Sequence, residues 1–482
     1  MLPNYTHAPF IGRKIELARL NGLLSKRSAS LVVVRGRRRI GKSRLLKEFG
    51  RDLKSFFFSG LPPKNKTKVT NIAQKKEFAN QLKQQGIPGV VPDDWSNLFW
   101  HLAQHTKEGR VVIVLDEISW MGSKDPNFLG KLKNAWDLHF SNNPQLILII
   151  CGSMSAWIEK NILSNTGYLG RVSLDLSLDE LPLRDAAAFW APYSDRISSY
   201  EKFKILSVTG GVPLYLELIR PEHSAEENIR DMCFTKGGLL VREFAQIFSD
   251  LFSRKSGSYQ QIVECLADGP KDISEICRLL NKQKSGLYSE HMHNLVESGY
   301  VKRDFTWHLD TENCSKHTKY RLSDNYLRFY IKYIQPNELQ IENGLFSLHS
   351  LTSLPAWESI MGLQFENLVV HNRKMLWEIL AIDPSDIVMD GPFFQTKTAE
   401  RPGCQIDYLV QTRFQTLYLF EVKFAKKHIG MNVVEEVEKK RESLRVPKHC
   451  STRPILIHVN GVDDSVYDTR YFDKIIDFGQ LL

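Results

Sequence analysis

The stretch LVVVRGRRRIGKSRLLKEF (31–49) constrains the fold more than any other part of this chain. Leu31–Val34 reads as a buried strand, and Leu45, Leu46 and Phe49 recur at helical spacing. Between them lies GxxxxGKS, at Gly36, Gly41, Lys42 and Ser43. Glycines let successive main-chain N–H groups curl round one point, and a helix start adds its positive end, so this strand–loop–helix is shaped for phosphate. Lys42 then reaches the outer phosphate oxygens and the Ser43 hydroxyl takes Mg²⁺. The candidate nucleotide-binding set is Gly36, Arg37, Arg38, Arg39, Ile40, Gly41, Lys42, Ser43 and Arg44. The side chains of Arg35, Arg37, Arg38 and Arg39 read as a solvated rim, not as four phosphate contacts.

Two further apolar strands follow. Val111–Leu115 ends in Asp116–Glu117, and a carboxylate at the C-terminal end of a parallel strand sits beside the phosphate loop. Asp116 is placed to hold Mg²⁺ and Glu117 to orient the attacking water. LILIIC (146–151) leads to Ser153, which either lies near a γ-phosphate or caps the helix that follows.

With these residues in hand, the chain resembles the prokaryotic AAA+ ATPases of the STAND class, archaeal-type branch. FIGRKIEL (10–17), GRRRIGKS, VLDEISWM, ICGS, LGRV (169–172) and TGGVPLYLEL (209–218) carry the resemblance over about the first half of the chain. It implies ATP and Mg²⁺ as cofactors, a parallel-sheet core over 1–180 and a helical lid over 181–253. It also implies that Phe10–Arg13 borders the adenine and that Gly211–Pro213 closes the base pocket, with Pro213 among the nucleotide contacts. Arg171 is then a γ-phosphate sensor or arginine finger; the plain alternative is a surface salt bridge. Gly210–Pro213 also reads as an ordinary helix-start turn.

Residues 254–335 carry three short helical patterns and then two strand-like stretches, an arrangement that resembles a winged helix-turn-helix. The third helix, 285–298, holds few cations, so DNA contact and an intramolecular clamp are equal readings. His291 and His293 point to different helix faces, which argues against a shared metal site. The aromatic run Tyr320–Tyr333 reads as core and IQPNELQIENG (334–344) as a linker.

In TLYLFEVKF (416–424), Glu421 and Lys423 lie two apart on a strand and share a face. A hairpin brings the preceding strand, CQIDYLVQ (404–411), alongside, so that Asp407 approaches them. Glu366 sits in an apolar helix upstream. Helix Glu, strand Asp and then Glu-x-Lys is the pattern of the PD-(D/E)XK nuclease fold, with Ile406 where the name-giving proline stands. Residues 345–482 are thus expected to form an α/β restriction-endonuclease-like domain. In it Asp407 and Glu421 bind Mg²⁺ with the Val422 carbonyl, Glu366 supports the metal, and Lys423 steadies the developing charge. The bland alternative is a structural ion-pair cluster in a fold that binds and does not cut.

Composition fits this α/β multidomain reading. A chain of 482 residues exceeds one ordinary core, and a net charge of +9 suits an anionic partner such as DNA. Seven scattered cysteines without a CxxC pair argue against a zinc site and suit a reducing cytoplasm. MLPNYTHAPF lacks the pattern of a signal peptide, and no apolar run is long enough to span a membrane. A homo-oligomer is a further expectation. The leading function is an ATP-driven switch that controls a Mg²⁺-dependent DNA nuclease. The alternative is an ATP-dependent DNA-binding or signalling regulator with an inactive nuclease fold.

Overall fold

The computed structural model describes residues 9–62, 69–252, 256–347, 350–397, 399 and 402–482. Residues 1–8, which carry most of the N-terminal stretch read for a signal, and the expected boundary at 253/254 lie outside the described residues.

The first sheet contains β1 (Ser30–Arg35), β2 (Lys54–Ser59), β3 (Val111–Asp116), β4 (Leu146–Gly152) and β5 (Val172–Ser177). Its order is β2-β3-β4-β1-β5 and every pairing is parallel. The three unbroken apolar runs form its centre, because only a strand covered on both faces can bury every side chain. β2 and β5, where polar residues interrupt the pattern, lie at the edges. Separate apolar clusters cover the two faces. The helix Lys42–Phe49 buries Lys42, Leu45, Leu46 and Phe49, one stripe at helical spacing, against this sheet. All the strands run the same way, so the chain after β1, β3 and β4 emerges at one edge.

The winged helix has helices Ser256–Leu266, Ile273–Leu279 and Gly286–Glu297, then β6 (Val301–Trp307) paired antiparallel with β7 (Cys314–Leu322). Its hairpin lies against the second sheet: the Thr306 hydroxyl donates to the Phe394 carbonyl at 2.8 Å, and Trp307 meets Phe393 edge-on at 5.1 Å. The hairpin is thus packed within the chain. Tyr326, Phe329, Tyr330 and Tyr333 are core, as their spacing implies. The expected linker is instead helical over Gln335–Asn337 and Glu338–Glu342. Ile341 is fully buried there, so one apolar anchor in a polar stretch outweighs its composition.

The second sheet contains β8 (Ile387–Gln395), β9 (Cys404–Thr412), β10 (Thr416–Val422), β11 (Ser451–His458) and β12 (Lys474–Asp477), in the order β12-β11-β10-β9-β8. β8, β9 and β10 form an antiparallel meander; β10, β11 and β12 are parallel. The helix Trp357–His371 precedes the meander, and the helix Asn432–Ser443 joins β10 to β11. One apolar cluster runs from Leu181 to Phe478. It fuses the helices after β5, the winged helix and one face of the second sheet. Among the described residues, no helix is long and apolar enough to cross a membrane.

Candidate functional site

The phosphate loop leaves β1 through Gly36 at φ 147° and enters its helix through Gly41 at φ 89°. A Cβ on Gly36 would come within 2.5 Å of the Leu178 carbonyl, so the loop can pass β5 only as glycine. Three non-glycine residues round the loop are also left-handed: Arg13 at φ 59°, Arg39 at 68° and Glu117 at 49°. Strain of this kind persists where the surroundings over-determine the backbone. Lys42 is buried, and its ammonium donates to the carbonyls of Gly36 and Arg37 at 2.8 and 3.0 Å. The Ser43 hydroxyl donates to Asp116 at 2.6 Å, so the two expected Mg²⁺ donors are already adjacent. Glu117 accepts from the Ser153 hydroxyl at 2.9 Å and from its N–H at 3.3 Å. Ser153 therefore serves Glu117, and Met154 takes the N-cap position of the next helix without a side-chain bond. Burial raises the Glu117 carboxyl above its ordinary range, the Lys42 charge opposes this and Asp116 adds to it.

Phe10, Ile11, Arg13, Ile40, Gly41 and Pro213 line a crevice beside the loop, together with Phe189. Glu180 accepts from the Gly211 N–H at 2.7 Å. A Cβ on Gly211 would meet the Leu181 carbonyl at 2.3 Å, so this close approach needs glycine. Arg44 donates to the Pro9 carbonyl at 2.7 Å and is paired with Glu217.

The loop arginines are not the solvated rim their composition suggests. Arg37 is 7% exposed and pairs with both Glu180 and Asp324; the latter caps the helix after β7 and is 1% exposed. Arg39 forks onto buried Glu243 at 3.0 and 3.2 Å. Arg35 pairs with Asp175 at 3.0 Å and reaches Glu297 of the winged helix at 3.6 Å. Arg38 is half-buried in the loop. Buried carboxylates from distant segments attract these cations, which a local reading of the loop cannot see.

Arg171 is not brought to this site. It forks onto Asp137 at 2.7 and 2.9 Å, just before Val172 opens β5. That is the opposite end of the sheet from the phosphate loop, about 20 Å away along a six-residue strand.

The second group lies on the second sheet. Between β8 and β9 the register advances from Gly391↔Leu409 to Phe393↔Ile406, which leaves one extra residue on β9 beside Asp407. Bulges re-aim side chains. Asp407 here accepts from the Val422 N–H at 2.9 Å and stands 3.5 Å from the Lys440 ammonium. Lys440 also binds Glu421, which is 3% exposed. Lys423 bridges Glu421 at 3.0 Å and Glu436 at 2.7 Å. Burial raises the Asp407 carboxyl, and Glu421 raises it further. Burial likewise raises Glu366, and Asp407 adds to the effect. Asp407, Glu421 and Lys423 thus converge as expected, with Glu366 within electrostatic reach. Sequence reading missed Lys440, one of several charges on an ordinary helix. Among the described residues, no group of three or more His, Cys, Asp or Glu side chains is arranged to hold a metal ion.

Residues 10–219 match the family described as an ATPase domain predominantly from Archaea. This part of the chain is an ATPase. Residues 260–303 match the bacterial regulatory proteins of the arsR family. An uncharacterized protein of Methanocaldococcus jannaschii is 24% identical over 361 residues, 74% of this chain and 76% of its own length. Among solved structures, the Walker-type ATPase of Pyrococcus abyssi superposes with a TM-score of 0.50 at 17% identity, over 67% of this chain and 96% of that one. That likeness is one of fold. The Aeropyrum pernix ORC2 protein gives 0.41 at 14% identity, over 70% and 97%.

Proposed function

We propose that the chain is a STAND-type switch ATPase coupled to a Mg²⁺-dependent phosphodiesterase site for DNA on its second sheet. The observation that carries the coupled site is the convergence of Asp407, Glu421 and Lys423, with Asp407 re-aimed by the bulge. The order of elements supports it too: a helix, an antiparallel meander, a helix and a parallel strand agree with a restriction-endonuclease-like core. Asp407 and Glu421 offer hard oxygens of the kind that Mg²⁺ takes, at a place where Lys440 and Lys423 now supply the positive charge. Mg²⁺, when bound, polarises the scissile phosphate and activates water. Lys423 stabilises the charge that develops on the phosphate, and Glu366 supports the carboxylate pair.

At the first site the fit rests on the left-handed loop glycines, on Lys42 and on the adjacent Ser43 and Asp116 oxygens. Ser43 and Asp116 would hold the Mg²⁺ that accompanies ATP, which would supply charge neutralisation at the phosphates. Glu117 holds the attacking water, and Ser153 positions Glu117. Arg37 is the route out of the site: a change in the loop alters its grip on Asp324, and through that residue the seat of the winged helix. Arg171 reaches a γ-phosphate only on a second copy of the chain, so that role requires a homo-oligomer.

The test is incubation with Mg²⁺, with and without ATP, on supercoiled, linear and single-stranded DNA, beside Glu421→Ala. Cleavage by the wild type alone is the expected result. Equal cleavage by both proteins, or none by either, overturns the nuclease half. One observation favours the second reading, a regulator whose cluster binds without cutting: Lys440 and Lys423 already neutralise the carboxylates from within the chain.

A further inference from the structure

We propose that the seam between the winged helix and the second sheet is a binding track for single-stranded nucleic acid. The inference rests on DNA as partner and adds the form of the strand and its path.

A cavity of about 900 Å³ opens along this seam. Lys284 and Ser289, at the start of the third winged-helix helix, form one wall; Lys316 and Lys319 of β7 form another; Phe394 and Lys397, at the end of β8, close it. Arg303 of β6 lines it as well. Among the described residues, none of these five cations has a carboxylate partner. The acids on the wall, Asp272 and Glu275, are engaged with each other's main chain in a capping box. The seam therefore sets five cations against two carboxylates, an excess of positive charge of the kind a phosphate backbone requires.

Aromatic faces accompany the charge. The Arg303 guanidinium lies 4.8 Å from the Phe305 ring centre and 6.0 Å from that of Tyr320. Lys319 lies 5.0 Å from Phe394. Phe305 is 44% exposed although it is large and apolar. Cations that track a backbone, interleaved with rings on which bases stack, are how single strands are held without regard to sequence.

The clamped hairpin counts against a duplex gripped by the wing. A wing that contacts double-stranded DNA must project freely, and this one is fastened to Phe393 and Phe394 of β8. A strand laid along the open side of the seam meets cations from both modules.

The path has a destination. Cys404 and Gln405 line the cavity at the sheet end, and the Cys404 thiol donates to the Lys440 carbonyl at 3.3 Å. The ammonium of the same Lys440 rests on Asp407 and Glu421. In the other direction, Arg303 also lines a cavity of about 620 Å³ that adds Lys302, Arg373 and Lys374. The track therefore runs along β6 and ends at Cys404, one main-chain contact from the helix that carries Lys440.

The test is fluorescence anisotropy of a labelled oligothymidylate and of a labelled mixed-sequence duplex, in EDTA so that binding is read without cleavage. The full chain should prefer the single strand. Lys284→Glu with Lys316→Glu should weaken that binding on the order of tenfold, and the slope of log affinity against log salt should fall by about 0.7 for each phosphate that is no longer neutralised. An unchanged thermal midpoint shows that the variant is folded; Lys284→Gln with Lys316→Gln serves if it is not. Preference for the duplex, or unchanged single-strand affinity in a folded variant, overturns the proposal. Cleavage is scored separately: binding without cleavage sinks the nuclease and leaves the track, and cleavage with unchanged binding in the variants does the reverse.

Discussion

The phosphate loop and the cluster on the second sheet each hold a lysine among oxygens, and the oxygens differ. Lys42 donates to two main-chain carbonyls, which are neutral. Lys440 is shared between two carboxylates. The first site can therefore surrender its lysine to an anion for the cost of two neutral hydrogen bonds. The second is internally balanced and can accept a phosphate only after another cation takes the place of the lysine. One site is prepared for ATP directly; the other needs a metal first.

The sharpest way to break this contrast is to remove the cation that ties the first site to the rest of the chain. Arg37→Ala leaves Glu180 and Asp324 buried without their partner. A loss of about 3–5 kcal/mol is expected in denaturant unfolding. A loss below about 1 kcal/mol would mean that the pairs are incidental. Next comes Lys42→Ala, which should abolish ATP binding in calorimetry and lower kcat by about 10²–10³-fold where any turnover survives. Undiminished nucleotide binding would remove the loop from the site.

What could be read beforehand divides along the same line. The phosphate loop is eight consecutive residues between a strand and a helix, so local spacing carries all of it. Asp407, Glu421 and Lys423 were legible as well, because a hairpin turn fixes their neighbourhood. Asp324, Glu180 and Glu243 were not: each meets its arginine across more than 140 residues, and a buried carboxylate looks in sequence like an exposed one. Lys440 was hidden for the related reason that the helix VVEEVEKKRES offers several equivalent charges, and only the turn of the helix against the bulge selects one.

Lys440→Met sharpens the second half of the contrast. If the lysine competes with a metal for Asp407 and Glu421, removing it should tighten Mn²⁺ binding about tenfold, the equivalent of one hydrogen bond to a charged group. Titration followed by the electron paramagnetic resonance of free Mn²⁺ reads this without turnover. Weaker binding would mean that the carboxylates stay apart without their lysine and that the cluster is structural.

The smallest expected effect lies between the two sites. His371 ends the helix Trp357–His371 and lines both the cavity of about 620 Å³ and a crevice that reaches Gly36 and Arg37. A helix C-terminus favours a charged imidazole, and so do Glu180 and Asp179. Burial outweighs them, with Lys302 and Arg37 acting in the same direction as burial, and the pKa falls below its ordinary value near 6.5. The folded chain therefore binds this proton less readily than the unfolded one. The corresponding stability is fully present above about pH 6.5 and is lost as the pH falls toward the depressed value. Replacing His371 with Asn removes the proton and so the loss. Between about pH 7.5 and 5.5 the variant should give up one or two degrees less of its thermal midpoint than the wild type. An equal loss in both proteins would show that the acid sensitivity of this junction does not come from His371.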